Sequence, residues 1–233
     1  MPVTVLLATD DAGRCASLVK SMRSLGLSVR IAATGAQTLR VHDEASPELV
    51  LLATDLRDAH ALDVCRRLRR ESDVPLIVIG ESAGDFDRIL ALELGADDFI
   101  DRDCGDDEAS ERISAALRRG GDVRIDGGSR QQLDFGDIVI DRRAYVLIVR
   151  GERRELTATE MKLIWTLAEH PGEVMTTEDL LEEVWGYPKG VRTRTLDVHI
   201  SRLRRKLGEN GHRARHIVTV HSVGYRFEPH PPG

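Results

Sequence analysis

The first half of the chain alternates short apolar runs with amphipathic stretches, and this alternation limits its fold more than any other feature. The apolar runs are residues 3–8, 27–31, 49–53, 76–79 and 98–100. The stretches with helical spacing are 13–25, 35–43, 61–71, 85–94 and 106–119. Unbroken apolar strands that alternate with helices are typical of a parallel sheet covered on both faces. We predict a doubly wound five-stranded α/β domain over 1–120, with its functional site at the carboxyl ends of the strands.

The second half is organised differently. Residues 121–130 are rich in glycine and charge, which is the composition of a flexible linker, and residues 131–233 form a second predicted domain. Its strands are predicted at 135–140 and 145–149, its helices at 159–170, 177–184 and 191–207, and a final hairpin at 216–220 and 225–228. Each helix follows a start signal: Thr157 before Glu160, Thr176 before Asp179, and Gly190.

Charge is distributed unevenly along the chain. The formal net charge is −6, yet residues 191–226 carry nine Arg or Lys against two Asp or Glu. Local charge is what a polyanion experiences, so this segment favours nucleic acid as a partner. The chain has no run of 18 apolar residues, and its N-terminus lacks the features of a signal peptide. With three widely spaced cysteines, these features predict a protein of the reducing cytoplasm that does not enter a membrane.

The predicted helix 191–207 has two contrasting faces. At 100° per residue an apolar stripe contains Leu196, Ile200, Leu203 and Leu207. The opposite side contains Arg194, Val198, Ser201, Arg202 and Arg205. Arginine pairs with guanine and valine contacts the thymine methyl in the major groove, although a basic face can also be simply solvated. The helix before it and the hairpin after it favour a winged helix-turn-helix that binds duplex DNA.

The sequence from 156 to 227 resembles a known family. LTATEMKLIWTLAEHPGEV, LLEEVWG, TRTLDVHISRLRRKL and VGYRF are similar to the effector domain of OmpR/PhoB-type response regulators. The resemblance implies that Val198, Ser201 and Arg202 face bases. It implies phosphate contacts from Trp185, Arg194, Thr195, His199, Arg204 and Tyr225, with Arg205, Thr219 and the wing residue His221 also at the DNA. Ser201 and His221 stand where the family often has arginine, which implies a weaker minor-groove contact.

Residues 3–119 resemble the receiver domain of the same family, a flavodoxin-like fold, through Pro47–Leu52 and GADDFI at 95–100. Phosphoryl transfer to a receiver requires an aspartate, an acidic pair for Mg²⁺, a hydroxyl and a lysine. Counting from Pro47 and from Ala61 places Ala53 at the aspartate position. The other matching positions hold Thr9 and Asp10 (with Asp11 after them), Gly80 and Arg102. The receiver is therefore predicted to lack conventional phosphorylation; the alternative is phosphorylation of Asp55.

Arg102 is predicted to pair with Asp10 or Asp55 and so to replace the metal–phosphate network, the alternative being that it points into solvent. The family resemblance also implies a twofold dimer through the fourth helix, fifth strand and fifth helix, which would bind direct-repeat half-sites. The charged residues predicted for that interface are Arg88, Glu93, Asp97, Asp98, Glu111, Arg112, Arg118 and Arg119.

Rival functions remain at this point. One is a conventional response regulator that a kinase phosphorylates at Asp55, and another is a receiver whose cleft binds a small molecule or a protein. An enzyme on the N-terminal domain is disfavoured, because no Gly-rich phosphate loop follows the first strand (ATDDAGR) and no nucleophile–base pair is found. No cofactor or metal is expected, since His199 has no second ligand at suitable spacing. RNA polymerase and a small-molecule ligand are further candidate partners.

Overall fold

The computed structural model describes residues 3–81, 85–121, 131–191, 193–209 and 214–229, with backbone only at 85–87 and 118–121. The chain divides into two compact units, Met1–Gly120 and Gly121–Gly233. Of the predicted linker only Gly121 is described, as the last residue of a helix, and 122–130 lie outside the described residues. Among the helices described, none is long and apolar enough to cross a bilayer.

The first unit is a five-stranded parallel sheet in the order β2-β1-β3-β4-β5. Its strands are β1 Thr4–Ala8, β2 Ser28–Ala32, β3 Leu49–Ala53, β4 Leu76–Gly80 and β5 Asp98–Asp101. Its helices are α1 Ala16–Ser24, α2 Gly35–Ala45, α3 Ala61–Glu71, α4 Asp85–Glu93 and α5 Asp106–Gly121. Every residue of β3 and β4 is buried, as expected for strands covered on both faces. The predicted doubly wound α/β fold is confirmed.

The second unit begins with a four-stranded antiparallel sheet in the order β6-β7-β8-β9. The strands are β6 Gln132–Asp134, β7 Ile138–Asp141, β8 Val146–Val149 and β9 Glu152–Glu155. The single strand predicted at 135–140 is wrong, because Gly136 adopts φ +83° in a turn that separates β6 from β7. Strand β9 was not predicted, because its sequence ERRE has no apolar alternation.

Helices and a second sheet complete this unit. They are α6 Ala158–Glu169, β10 Val174–Thr176, α7 Thr177–Leu180 with a π-helical continuation Leu181–Trp185, α8 Thr195–Lys206, β11 Ile217–Val220 and β12 Gly224–Phe227. The three strands pair in the order β10-β12-β11. This is the predicted winged helix-turn-helix, with the β11–β12 hairpin as the wing.

The predicted helix starts hold for two helices and fail for the third. Thr157 and Glu160 form a reciprocal capping box on α6, and Thr176 accepts from the backbone N–H of Asp179 at the start of α7. Helix α8, predicted from residue 191, begins at Thr195, and its N-cap residue Arg194 makes no side-chain capping bond. Gly190 has φ +89° and lies in the preceding loop.

Candidate nucleic-acid interface and receiver site

Helix α8 exposes a single narrow stripe. The exposed residues on and next to it are Arg194, Asp197, Ser201, Arg205 and Gly208. At 100° per residue they fall within an arc of about 80°. The remaining surface packs against the unit's core, which includes Leu196, Ile200, Leu203 and Leu207. A DNA groove that receives α8 can therefore contact only this stripe and the side chains at its edges.

Several residues predicted to contact DNA are buried inside the domain. Val198 and Thr195 are buried, and Thr195 exchanges a side-chain hydrogen bond with Thr193 at 2.7 Å. His199 is also buried; its Nδ1 donates to the carbonyl oxygen of Thr195 at 2.9 Å, and its ring lies edge-on to Trp185 with centroids 5.1 Å apart. Four of the residues predicted to contact DNA, Trp185, Thr195, Val198 and His199, thus pack α8 against the domain. Their contacts with DNA stay predictions.

Arg202 departs most from the helical wheel. The helical wheel places it on the face opposite the apolar stripe, but its side chain is buried and its Nε lies 3.1 Å from Oε1 of Glu160. Lys206 Nζ donates to the other oxygen of Glu160 at 2.7 Å. Burial alone would raise the pKa of Glu160, but Arg202 and Lys206 outweigh it and hold that pKa below its usual value. This cluster of three residues, the Glu160 cluster, fastens α8 to the start of α6.

A second network joins α8 to the wing. The hydroxyl of Tyr225 donates to Oδ1 of Asp197 at 2.7 Å, and burial together with this carboxylate raises the pKa of Tyr225. The guanidinium of Arg204 lies 5.9 Å from the Tyr225 ring centroid. Arg204 also donates to the Ile217 carbonyl oxygen and, at 2.8 Å, to the Thr219 hydroxyl. Arg204 and Tyr225 thus position the wing; Arg204 keeps partial exposure at the edge of the stripe.

The tip of the wing is exposed. His221, Ser222 and Val223 form the turn, and Ser222 adopts φ +63°. Gly224, the first residue of β12, lies against β10 so closely that no side chain fits there. Thr219 is exposed on the neighbouring strand. The wing therefore carries His221 and Thr219 where the sequence analysis expects a DNA contact.

The receiver site lies at the carboxyl ends of β3 and β4. Ala53 is the last residue of β3 and is fully buried. Gly80 is the last residue of β4, and a Cβ there would lie 2.8 Å from Cγ2 of Thr54 and 3.0 Å from the Phe99 ring. Thr54 and Phe99 thus fill the space that a side chain on Gly80 would need.

Arginines pair with two carboxylates of this cleft. Arg102 Nη2 donates to Oδ2 of Asp55 at 2.7 Å, so the predicted pairing of Arg102 with one of two aspartates is confirmed for Asp55. Asp10 pairs instead with Arg57, whose Nε lies 3.2 Å from Oδ2. Both arginines and both aspartates come from loops at the same edge of the sheet. Each of these two carboxylates therefore has a guanidinium beside it, while Oδ1 of Asp55 is buried with no hydrogen-bond partner among the described residues.

Two further interactions hold the acidic loops. Asp58 accepts from the backbone N–H groups of Gly35 and Ala36, which fastens the β3–α3 loop to the start of α2 and lowers the pKa of Asp58. Thr9 is buried, and its hydroxyl accepts from the backbone N–H of Asp11 at 3.2 Å. The residues of this cleft, with Ala53 at the end of β3 and arginines beside Asp10 and Asp55, do not fit the Mg²⁺ site of a receiver. Within the described ranges no three His, Cys, Asp or Glu side chains are grouped to hold a metal.

Part of the predicted dimer face is engaged in interactions within the chain. Asp98 is 0% exposed and pairs with Arg112 at 3.3 Å, while Asp97 is buried against Arg69 at 2.8 Å. Arg88 lies over the Phe99 ring at 5.4 Å. Asp97 and Asp98 are thus buried in ion pairs within the chain, and their place in a dimer interface stays a prediction. Glu93 and Glu111 keep exposed or partly exposed side chains, and the side chains of Arg118 and Arg119 lie outside the described residues.

Some of the residues that shape both sites were missed. Glu160 was noted only as a helix start signal, and Asp197 only as a charge. Thr54, Arg57 and Asp58 were not singled out. The run TDLRD at 54–58, with two carboxylates and an arginine directly after a buried strand, was the available signal for the last three.

A receiver-type sheet joined to a winged helix defines a class, the two-domain response regulators. Residues 5–114 match the family described as "Response regulator receiver domain", and residues 151–227 match "Transcriptional regulatory protein, C terminal". The chain belongs to the OmpR/PhoB-type response regulators of two-component systems, and its C-terminal unit is a DNA-binding domain.

Relatives match over nearly the whole length. "DNA-binding response regulator MtrA" of Mycolicibacterium smegmatis is 35% identical over 225 residues, which is 97% of this chain and 96% of the relative. "Sensory transduction protein RegX3" of the same species is 33% identical over 97% of this chain and 99% of its own. The response regulator DrrB, a Thermotoga maritima OmpR/PhoB homolog, is 28% identical with a TM-score of 0.52 and covers 98% of this chain and 100% of its own.

Proposed function

We propose that this response regulator is a cytoplasmic, dimeric transcription factor that binds repeated DNA half-sites without phosphorylation of its receiver. The observation that carries the proposal is the alanine at the end of β3. Ala53 has no group that can accept a phosphoryl group, and it is fully buried.

The contacts around Ala53 also support a receiver that acts without phosphorylation. A phosphorylated receiver holds its loops through a metal ion and a phosphoryl group. Here the Arg102–Asp55 and Arg57–Asp10 pairs join the same loops by permanent charges. Thr54 and Phe99 fill the space beside Gly80, so a hydroxyl cannot be restored there without moving them. These pairs would hold the loops together without an added group.

The side chains proposed to contact DNA are those exposed at the surface of α8 and the wing. The residues proposed to approach a duplex are exposed or partly exposed: Arg194, Ser201 and Arg205 on the α8 stripe, Arg204 at its edge, and Thr219 and His221 on the wing. Basic side chains at these positions would neutralise phosphates and release counterions. Each phosphate contact then contributes a slope of about −0.9 to the dependence of log K on log salt concentration.

The dimer is proposed from the family resemblance and from two charged residues of the predicted face, the exposed Glu111 and the partly exposed Glu93. Because no phosphoryl group is needed, the untreated protein is expected to sediment as a dimer at micromolar concentration. Glu111→Arg reverses one exposed charge without touching the buried Asp98–Arg112 pair. It is expected to give a folded monomer that binds paired half-sites weakly. An untreated protein that sediments as a monomer contradicts the dimer.

The test of the function compares DNA binding with and without a phosphoryl donor. Duplexes are selected from a random pool by the full-length protein, and affinity for the enriched site is measured by fluorescence anisotropy. We expect the same Kd before and after incubation with acetyl phosphate and Mg²⁺, and a salt dependence as steep as several phosphate contacts require. Failure to enrich any sequence contradicts the DNA-binding function. Tighter binding after acetyl phosphate, abolished in Asp55→Asn, supports the rival in which Asp55 is phosphorylated.

A further inference from the structure

The exposed stripe of α8 contains one acidic residue. Asp197 lies between Arg194 and Ser201 on the only face of the helix that can enter a groove. A carboxylate at this position opposes binding to a polyanion, so general affinity for DNA does not explain it. Asp197 lies near the start of α8, which is the part of a recognition helix that contacts base edges.

Tyr225 holds this carboxylate in place. Its hydroxyl donates to Oδ1 of Asp197 at 2.7 Å, and the raised pKa of Tyr225 keeps the donor proton on the phenol. The Tyr225 ring is itself buried beneath Arg204 and anchored on β12. Within the described residues no other hydrogen bond to the Asp197 side chain is found, which leaves Oδ2 available at the exposed surface. The acceptor is therefore fixed in direction before DNA arrives.

Base chemistry decides what such an acceptor selects. In the major groove, guanine and thymine present acceptors that repel a carboxylate, whereas cytosine presents its N4 amino donor. Adenine offers an amino group as well, but its N7 acceptor lies beside it and disfavours a negatively charged partner. We propose that Asp197, oriented by Tyr225, selects cytosine at one position of each half-site. The proposal rests on the proposed binding of DNA through α8.

Asp197 also lies in the first turn of α8, where an acid stabilises the helix, and it joins α8 to the wing. If Asp197 had only these roles, replacing it would change binding to all DNA sequences alike. The proposal instead requires a change of base preference, and this difference sets the readout of the test.

The experiment selects duplexes from a random pool with full-length wild type, Asp197→Asn, Tyr225→Phe and Ser201→Ala. Asparagine keeps an acceptor for Tyr225 but pairs best with adenine. We expect Asp197→Asn to replace cytosine by adenine at a single position and to lose about tenfold in affinity for the wild-type site. Tyr225→Phe is expected to keep cytosine with a weaker preference, because the carboxylate is no longer fixed. Ser201→Ala, the control, is expected to leave this position unchanged.

The outcomes separate this inference from the proposed function. Wild type that enriches no motif contradicts DNA binding itself. A wild-type motif that Asp197→Asn selects unchanged, or an equal loss of affinity on the selected site and on random duplex, overturns the role of Asp197 and leaves DNA binding intact. Thermal unfolding of each variant, followed by circular dichroism, shows that the compared proteins are equally folded.

Discussion

Replacing Glu160 by glutamine is expected to lower the free energy of unfolding of the C-terminal unit by about 3–5 kcal/mol. Glu160 is 0% exposed and lies between Arg202 at 3.1 Å and Lys206 at 2.7 Å. Glutamine keeps the volume but removes the negative charge that lies 3.1 Å from the buried guanidinium of Arg202. The amide also weakens the capping box with Thr157 at the start of α6.

Urea unfolding of the full chain measures this effect without separating the units. Both tryptophans of the protein, Trp165 and Trp185, are buried in the C-terminal unit, so their fluorescence reports on that unit alone. The matched control is Glu178→Gln, an exposed glutamate of the same unit, which should change stability by less than about 0.5 kcal/mol. Equal stability of Glu160→Gln and wild type would show that the Glu160 cluster does not hold α8.

The same cluster has a defined dependence on pH. Because the pKa of Glu160 is lowered in the folded protein, its contribution is complete above the ordinary pKa of a glutamate. It is lost as the pH falls through the lowered value. The difference in stability between wild type and Glu160→Gln is therefore expected to shrink in acid. A difference that grows as the pH falls would mean that Glu160 is protonated more readily when folded.

Gly224→Ala is expected to destabilise the C-terminal unit by at least about 3 kcal/mol and to abolish selective DNA binding. A Cβ on Gly224 would collide with the carbonyl oxygen of Met175 and lie 2.8 Å from Cα of Thr176. Both are backbone atoms of the paired strand β10, so no side-chain rotation relieves the overlap. Strand β12, which carries Tyr225, must then separate from β10.

Tryptophan fluorescence during urea unfolding and anisotropy on the selected duplex measure the two effects. Val223→Ala is the control, because Val223 is the adjacent wing residue and its side chain is exposed. It is expected to leave stability nearly unchanged. If Gly224→Ala unfolds at the same urea concentration as wild type, the close packing of β12 against β10 is not present in solution.

The strands of the receiver sheet could be predicted because burial on both faces produces unbroken apolar runs. The position of Ala53 at the end of β3 followed from counting along such a run. Strand β9 could not be predicted in this way, because its side chains Glu152 to Glu155 are mostly exposed and charged. Its pairing with β8 depends on backbone hydrogen bonds, which sequence periodicity does not report.

The candidate DNA interface was predicted as an element but not residue by residue. A helical wheel separates one apolar stripe from everything else, so it placed Arg202 and Val198 outside. In the fold α8 packs on more than one side, and Arg202 meets Glu160, which is 42 positions earlier in the chain. Contacts of that kind depend on tertiary structure. The Arg102–Asp55 pair is 47 positions apart, yet it was one of the two pairings predicted for Arg102, because both residues lie at one edge of the sheet.

The most direct test of a DNA-binding response regulator without a phosphoacceptor is the mass of the intact protein. Full-length protein is incubated with acetyl phosphate and Mg²⁺ and analysed by electrospray mass spectrometry under conditions that preserve acyl phosphates. A receiver domain that retains its aspartate, treated in parallel, shows that the donor is active. The expected result is an unchanged mass for this protein. The gain of one phosphoryl group, lost again in Asp55→Asn, would contradict the account.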